Sequence, residues 1–234
     1  MISAVIFDFG QTLADASDAF RSAEKDAQRR LSEALQLPLR EDFVETYRKI
    51  RKEFHARSDF SRKAMWEEVY RIWGKTPGEG HLEELEKSYW NKIEEETVLF
   101  PEVVDVLGKL RDSYALALIT NTQGQKDYGK HRMSRFPELE QFFKVVIVAG
   151  EGGIPAKPDR RPFLLCLERL GISPSEAVYV GDDWRIDIRG AMNIGMQPIW
   201  LQHRSFRRNW PEAEAPVPTI DGLEKLLELE TLLS

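Results

Sequence analysis

Apolar positions change their period twice along the chain. From Ala4 to Phe9 they run almost continuously through Val5, Ile6 and Phe7, the pattern of a strand buried on both faces. From about Asp15 to Thr97 they recur at helical spacing instead. Phe20, Ala23, Ala27, Leu31 and Leu35 share one helical face that Pro38 closes. Further helices are predicted over Glu41 to Arg57, Ser61 to Gly74 and Leu82 to Glu96, the last two parted by Pro77-Gly78-Glu79-Gly80. Beyond Pro101 short strands alternate with helices. Strands are predicted at Leu116 to Thr120, Val145 to Ala149, Val178 to Val180 and Pro198 to Leu201. Helices are predicted at Val103 to Leu110, Phe163 to Leu170, Gly190 to Ile194 and Leu223 to Leu233. This order predicts a doubly wound α/β fold with a Rossmann-like parallel sheet, built from residues 1–14 and 99–234. An all-helical, four-helix-bundle-like cap is inserted at residues 15–98.

Composition narrows the class without naming a partner. With 42% hydrophobic and 31% charged residues, the chain has a globular balance and no disordered signature. No apolar stretch approaches the roughly 20 residues that span a bilayer, and the first residues carry no basic leader pattern, so no membrane association is expected. A net charge of −6 with well-mixed signs argues against nucleic-acid binding. The single cysteine, Cys166, excludes an intrachain disulfide framework, so a cytoplasmic location is expected, with Cys166 a core thiol.

The chemistry lies at the ends of the strands. Asp8, Thr120 and Asp182 each terminate a strand, and in open parallel sheets such ends share one rim where ligands bind. Asp8 precedes Phe9-Gly10-Gln11-Thr12, a turn whose backbone N–H groups are expected to face an anion. Asp182, Asp183 and Asp187 place three more carboxylates within six residues. Crowded carboxylates repel unless a cation neutralises them, and hard oxygen donors suit Mg²⁺. Lys157 and the Thr120 hydroxyl supply a charge and a donor for phosphate oxygens, and a carboxylate can act as a nucleophile toward phosphorus.

Four segments in order carry a resemblance. V-I-F-D-F-G-Q-T, L-I-T-N, A-K-P-D and G-D-D-W-R-I-D resemble the motifs of the haloacid dehalogenase-like (HAD) hydrolase superfamily, in the branch with a helical cap after the first strand. The resemblance implies a phosphatase acting on a small phosphorylated metabolite through an aspartyl-phosphate. Asp8 is then the nucleophile, with Thr120 and Lys157 as its catalytic companions. Gly10, Gln11, Thr120, Asn121 and Lys157 contact the phosphate or substrate, with Gln123 beside them at the mouth. Asp8, the Gly10 carbonyl, Asp182 and Asp187 hold Mg²⁺. The assembly state is left as monomer or homodimer.

One position departs from the family pattern. Its phosphatases normally carry a second Asp where this chain has Gly10, to protonate the leaving group and later activate water. General acid–base catalysis contributes about 10²–10⁴-fold. Three readings stay open: a phosphatase that uses water or another acid (Asp15 and His55 are candidates), a non-catalytic phosphate- or metabolite-binding protein, and a 2-haloacid dehalogenase. Substrates with leaving groups of low pKa suffer least from the loss. In the helical segment, aromatics including Phe43, Tyr47, Phe60, Trp66 and Tyr89 read mostly as bundle core. Arg57, Arg62 and Lys63 read as a solvated helix end, with contact to an anionic substrate as the alternative.

Overall fold

A computed structural model describes residues 1–38, 40–57, 59, 61–122, 132–205 and 209–233. Gln123 and Phe60 lie outside the described residues. The chain divides into two units, an α/β unit containing Met1–Asp15, Val98–Thr122 and the described part of His131–Ser234, and a helical unit built on Ala16–Thr97.

The α/β unit begins with β1 (Ala4–Phe7) and the two-residue β2 (Ala14–Asp15). The helical unit follows with α1 (Ser17–Ala34), α2 (Glu41–Ala56), α3 (Arg62–Ile72) and α4 (His81–Glu96). The chain then gives β3 (Val98–Leu99), α5 (Val103–Leu110), β4 (Ala115–Asn121), β5 (Val145–Ala149), α6 (Arg160–Leu170) and β6 (Ala177–Gly181). It ends with α7 (Arg189–Met192), β7 (Gln197–Leu201), β8 (Thr219–Ile220) and α8 (Leu229–Leu232). Six strands form a parallel sheet in the order β5-β4-β1-β6-β7-β8, with β1 in register against both β4 and β6.

Alternation along the strands explains why this sheet is covered on both faces. Val5, Phe7, Leu116, Leu118, Val178 and Val180 point into one core, packed by α5 and the last helical turns of the chain. Ile6, Ala117, Ile119, Ala177 and Tyr179 point into the other, packed by Phe163, Cys166 and Leu167 of α6. Cys166 is buried there, and desolvation pushes its thiol up to about 12, so it stays an inert core group.

Some expected elements differ. Leu223 to Leu233 does not form one helix: a 3₁₀ segment over Leu223–Glu228 precedes the four-residue α8. Two-residue strands also escape a periodicity reading, so β8 lies beyond β7, and β2 and β3 pair antiparallel through Ala14↔Leu99 and Asp15↔Val98.

The helical unit packs around an aromatic core that includes Phe43, Tyr47, Trp66, Tyr70, Tyr89 and Trp90. Ala19, Ala23 and Ala27 bring one face of α1 close to α4. Arg62 is neither a solvated end nor an exposed anion contact. It is 3% exposed, its Nε donating to the Tyr89 hydroxyl at 3.0 Å and its Nη2 lying 3.4 Å from the Glu24 carboxylate. Lys63 pairs with Glu83, and Arg57 lies over the Phe54 ring at 3.8 Å. Among the described residues, no helix is long and apolar enough to cross a membrane.

Candidate active site

The carboxyl ends of β1, β4 and β6 bring together residues far apart in the chain. Asp8 directly follows β1, and its backbone N–H donates to the Val180 carbonyl of the neighbouring strand at 2.9 Å. Lys157, in the connection between β5 and α6, is fully buried with its ammonium against Asp8. Its Nζ lies 2.7 Å from Asp8 Oδ1, 2.7 Å from Asp187 Oδ1, 2.8 Å from the Tyr179 hydroxyl and 2.9 Å from the Ile119 carbonyl. Asp182 completes the group. One carboxylate oxygen each from Asp8, Asp182 and Asp187 lies within 4.8 Å of the others.

Local structure explains the placement of Asp187. The chain leaves β6 at Gly181 and winds through a wide π-type turn, Trp184–Ile188, which carries Asp187 back over the strand end. A Cβ at Gly181 would lie 2.5 Å from that of Asp187, so only glycine leaves room for the carboxylate. Asp183 caps the turn, its Oδ1 accepting from the N–H groups of Arg185 and Ile186, and its own N–H donates to Asp187 Oδ2 at 3.1 Å.

The electrostatics are unbalanced. Three carboxylates face one ammonium, a group net charge of −2 when all are ionised. Burial pushes the Asp187 acid up to about 7, and the negative charges of Asp8 and Asp183 add to that rise against the attraction of Lys157. Burial works to lower Lys157, but Asp187 and Asp8 outweigh it and hold the ammonium above its ordinary value. This set fits a small divalent cation, because hard oxygen donors with surplus negative charge converge on one point.

Other sequence-derived candidates have more specific placements. Asn121 is directed at the Lys157 backbone: its Oδ1 accepts from Lys157 N at 2.8 Å and its Nδ2 donates to Lys157 O at 3.1 Å. Thr120 is buried one residue earlier at the end of β4. In the turn after Asp8, Gln11 N–H donates to Ala14 O at 2.7 Å and Thr12 N–H to Phe9 O at 3.3 Å, so these two of its N–H groups close the turn on itself. Gln11 holds a φ of 63°, and Gly10 bridges to Ala14. Of the substitute acids, Asp15 lies in β2 and His55 in α2 of the helical unit.

Two contributors escaped sequence reasoning, and a third was only partly legible. Tyr179 and Trp200 read as ordinary apolar strand positions, yet the first bonds Lys157 and the second donates its indole N–H to the Asp182 carbonyl at 2.9 Å. The Thr12 hydroxyl lies 3.5 Å from Asp8 Oδ2 and was legible only as part of the first motif.

A family model described as haloacid dehalogenase-like hydrolase matches residues 5–201, most of the chain. The chain belongs to that family. Within this HAD family, a glyceraldehyde 3-phosphate phosphatase of Methanopyrus kandleri is 29% identical over 98% of this chain and 97% of its own. A solved 2-haloacid dehalogenase from Pseudomonas syringae pv. Tomato DC3000 is 27% identical, with a TM-score of 0.67 and full coverage of both chains. The Bacillus subtilis protein YfnB, solved bound to magnesium, shares the fold at 24% identity and a TM-score of 0.67, over 97% of this chain and 98% of that one.

Proposed function

We propose that this HAD hydrolase is a Mg²⁺-dependent phosphatase of small phosphorylated metabolites, working through an aspartyl-phosphate on Asp8. The observation that carries this reading is the Lys157 ammonium, 2.7 Å from both Asp8 and Asp187 beside a third carboxylate. A phosphatase relative over nearly the whole chain and a magnesium-bound protein of the same fold support it.

Asp8 attacks phosphorus, forming the acyl–phosphate bond as the ester P–O bond breaks and its electron pair leaves with the alkoxide. Lys157 fixes the attacking carboxylate and offsets its repulsion of the incoming anion, while Asn121 holds the Lys157 backbone. Thr120 binds the phosphate. Asp8, Asp182, Asp187 and the Gly10 carbonyl would hold Mg²⁺, which would neutralise the carboxylates and act as a Lewis acid on the phosphoryl group. With no side chain at Gly10, the leaving group takes its proton from water, and water cleaves the aspartyl-phosphate without a carboxylate from that position. Aryl and acyl phosphates are therefore the favoured substrates.

The test is p-nitrophenol release from p-nitrophenyl phosphate with Mg²⁺ or EDTA, for wild type and Asp8→Asn. Turnover is expected only in wild type with Mg²⁺. The haloacid dehalogenase relative keeps a second reading in view: metal-independent halide release from a 2-haloacid, with no phosphate release, would replace the proposal. Absence of both activities in folded, Mg²⁺-binding protein would favour a binding role.

A further inference from the structure

Beside the carboxylate cluster sits a group of tryptophans that the proposed chemistry does not use. Trp184, Trp200 and Ile188 form a small buried core, with Trp210 and Val217 against it. The Trp184 and Trp200 rings meet edge-on at 4.9 Å, and Trp200 meets Trp210 at 5.9 Å. Packing alone would explain such a group. Hydrogen bonding separates its members, however. Trp200 Nε1 donates to the Asp182 carbonyl at 2.9 Å, whereas Trp184 Nε1 is buried with no hydrogen-bond partner among the described residues.

The carbonyl that Trp200 holds belongs to a peptide with two further duties. This Asp182–Asp183 peptide begins at one candidate metal ligand, Asp182. Its N–H, from Asp183, donates to Oδ2 of another, Asp187, at 3.1 Å. The peptide is planar, so fixing its carbonyl also fixes the direction of its N–H. Trp200 itself is anchored in β7, paired with Gly181 of β6, the residue just before the peptide. A rigid strand thus grips the plane from which two of the three carboxylates are aimed.

We propose that Trp200 is a positioning residue for divalent-cation binding, setting the Asp182–Asp183 peptide so that Asp182 and Asp187 converge. The inference rests on the metal-site reading above and goes beyond it by assigning a role to a residue that touches neither metal nor substrate. Outer partners that orient metal ligands typically contribute about 10–100-fold to affinity.

The experiment is calorimetric titration of Mg²⁺ into wild type, Trp200→Phe and Trp184→Phe. Both substitutions remove an indole from the same cluster, but only the first removes the bond to Asp182. Weakening of Mg²⁺ binding by about 10-fold or more in Trp200→Phe, with Trp184→Phe within about 3-fold of wild type, is the expected result. Equal affinities in all three, or equal losses in both variants, would overturn it. Failure of wild type to bind Mg²⁺ would instead remove the metal-site reading and the inference with it. Should Trp200→Phe not fold, ¹⁵N-tryptophan NMR of the wild type decides. Among the indole N–H signals of the six tryptophans, that of Trp200 is expected to move on Mg²⁺ addition, and a stationary signal would contradict the role.

Discussion

Each unit buries a cluster of charged groups, and the two are built on opposite principles. In the helical unit one carboxylate is surrounded by donors: Tyr47 and Tyr89 hydroxyls donate to Glu24 at 2.6 and 2.9 Å, Arg62 and Arg51 lie at 3.4 and 3.5 Å, and the Trp66 indole N–H donates to Tyr47. In the α/β unit three carboxylates, Asp8, Asp182 and Asp187, gather where one ammonium, that of Lys157, pairs with Asp8 and Asp187. Ionisation responds accordingly. Burial would raise Glu24, but Arg62, Arg51 and the two tyrosines overcome it and hold the acid below its ordinary value. Asp187 is raised instead. In the first, guanidinium charge more than offsets the one carboxylate, and the cluster reads as structure. The second is left with surplus negative charge that a divalent cation would offset. A buried carboxylate, then, points to function when the cations around it do not offset its charge.

The contrast breaks most sharply under substitution of Asp8, the proposed nucleophile. Asp8→Asn is expected to lower Mg²⁺-dependent phosphate release on the order of 10³-fold or more, measured by steady-state kinetics. Glu24→Gln is expected to leave Mg²⁺ affinity unchanged by calorimetry. Gly10→Asp sharpens the same side of the comparison by adding a carboxylate. It is expected to raise turnover of alkyl phosphates by up to about 10²–10⁴-fold and of p-nitrophenyl phosphate far less.

Stability separates the clusters next. Lys157→Met leaves Asp8 and Asp187 without their shared ammonium, and Arg62→Met leaves Glu24 with only the half-exposed Arg51; losses of up to about 3–5 kcal/mol in urea unfolding are expected. Saturating Mg²⁺ is expected to restore part of the loss for Lys157→Met and none for Arg62→Met.

The pH dependence separates them last, and here the two slopes oppose. Glu24 is depressed, so its contribution is present above the ordinary value of 4.5 and lost as pH falls through its lower folded value. Asp187 is raised to about 7, so its contribution is present below the ordinary value of 3.8 and lost as pH rises through about 7. In EDTA, hydrogen-exchange protection, corrected for the intrinsic pH dependence of amide exchange, should therefore fall in α1–α4 peptides toward acid and in β1 and β6 peptides toward neutrality. Parallel pH responses in the two sets would collapse the distinction.

Much of this arrangement was legible in the chain. Unbroken apolar runs mark β1, β4 and β6 because those strands are covered on both faces; Asp8 and Asp182 directly follow β1 and β6, and Thr120 and Asn121 close β4. Asp8, Lys157, Asp182 and Asp187 were legible as chemistry because motif order and strand ends converge on them. Tyr179 and Trp200 were hidden because a strand position reveals its burial and not what its polar tip reaches. Glu24 and Arg62 were hidden for a related reason. Each reads as one charge on an amphipathic helix, and only the packing of separate helices makes them partners. The 3₁₀ segment at Leu223–Glu228 shares its apolar spacing with an α-helix too closely for periodicity to divide them.

The most direct test of the central claim is peptide mass spectrometry of protein quenched in acid during turnover of p-nitrophenyl phosphate. Since Gly10 offers no carboxylate to activate water, the intermediate should accumulate, and a phosphoryl group is expected on Asp8 with Mg²⁺ and absent in EDTA. Phosphate release with no label on Asp8 at any quench time, or unchanged turnover in Asp8→Asn, would contradict the nucleophile and the phosphatase mechanism built on it.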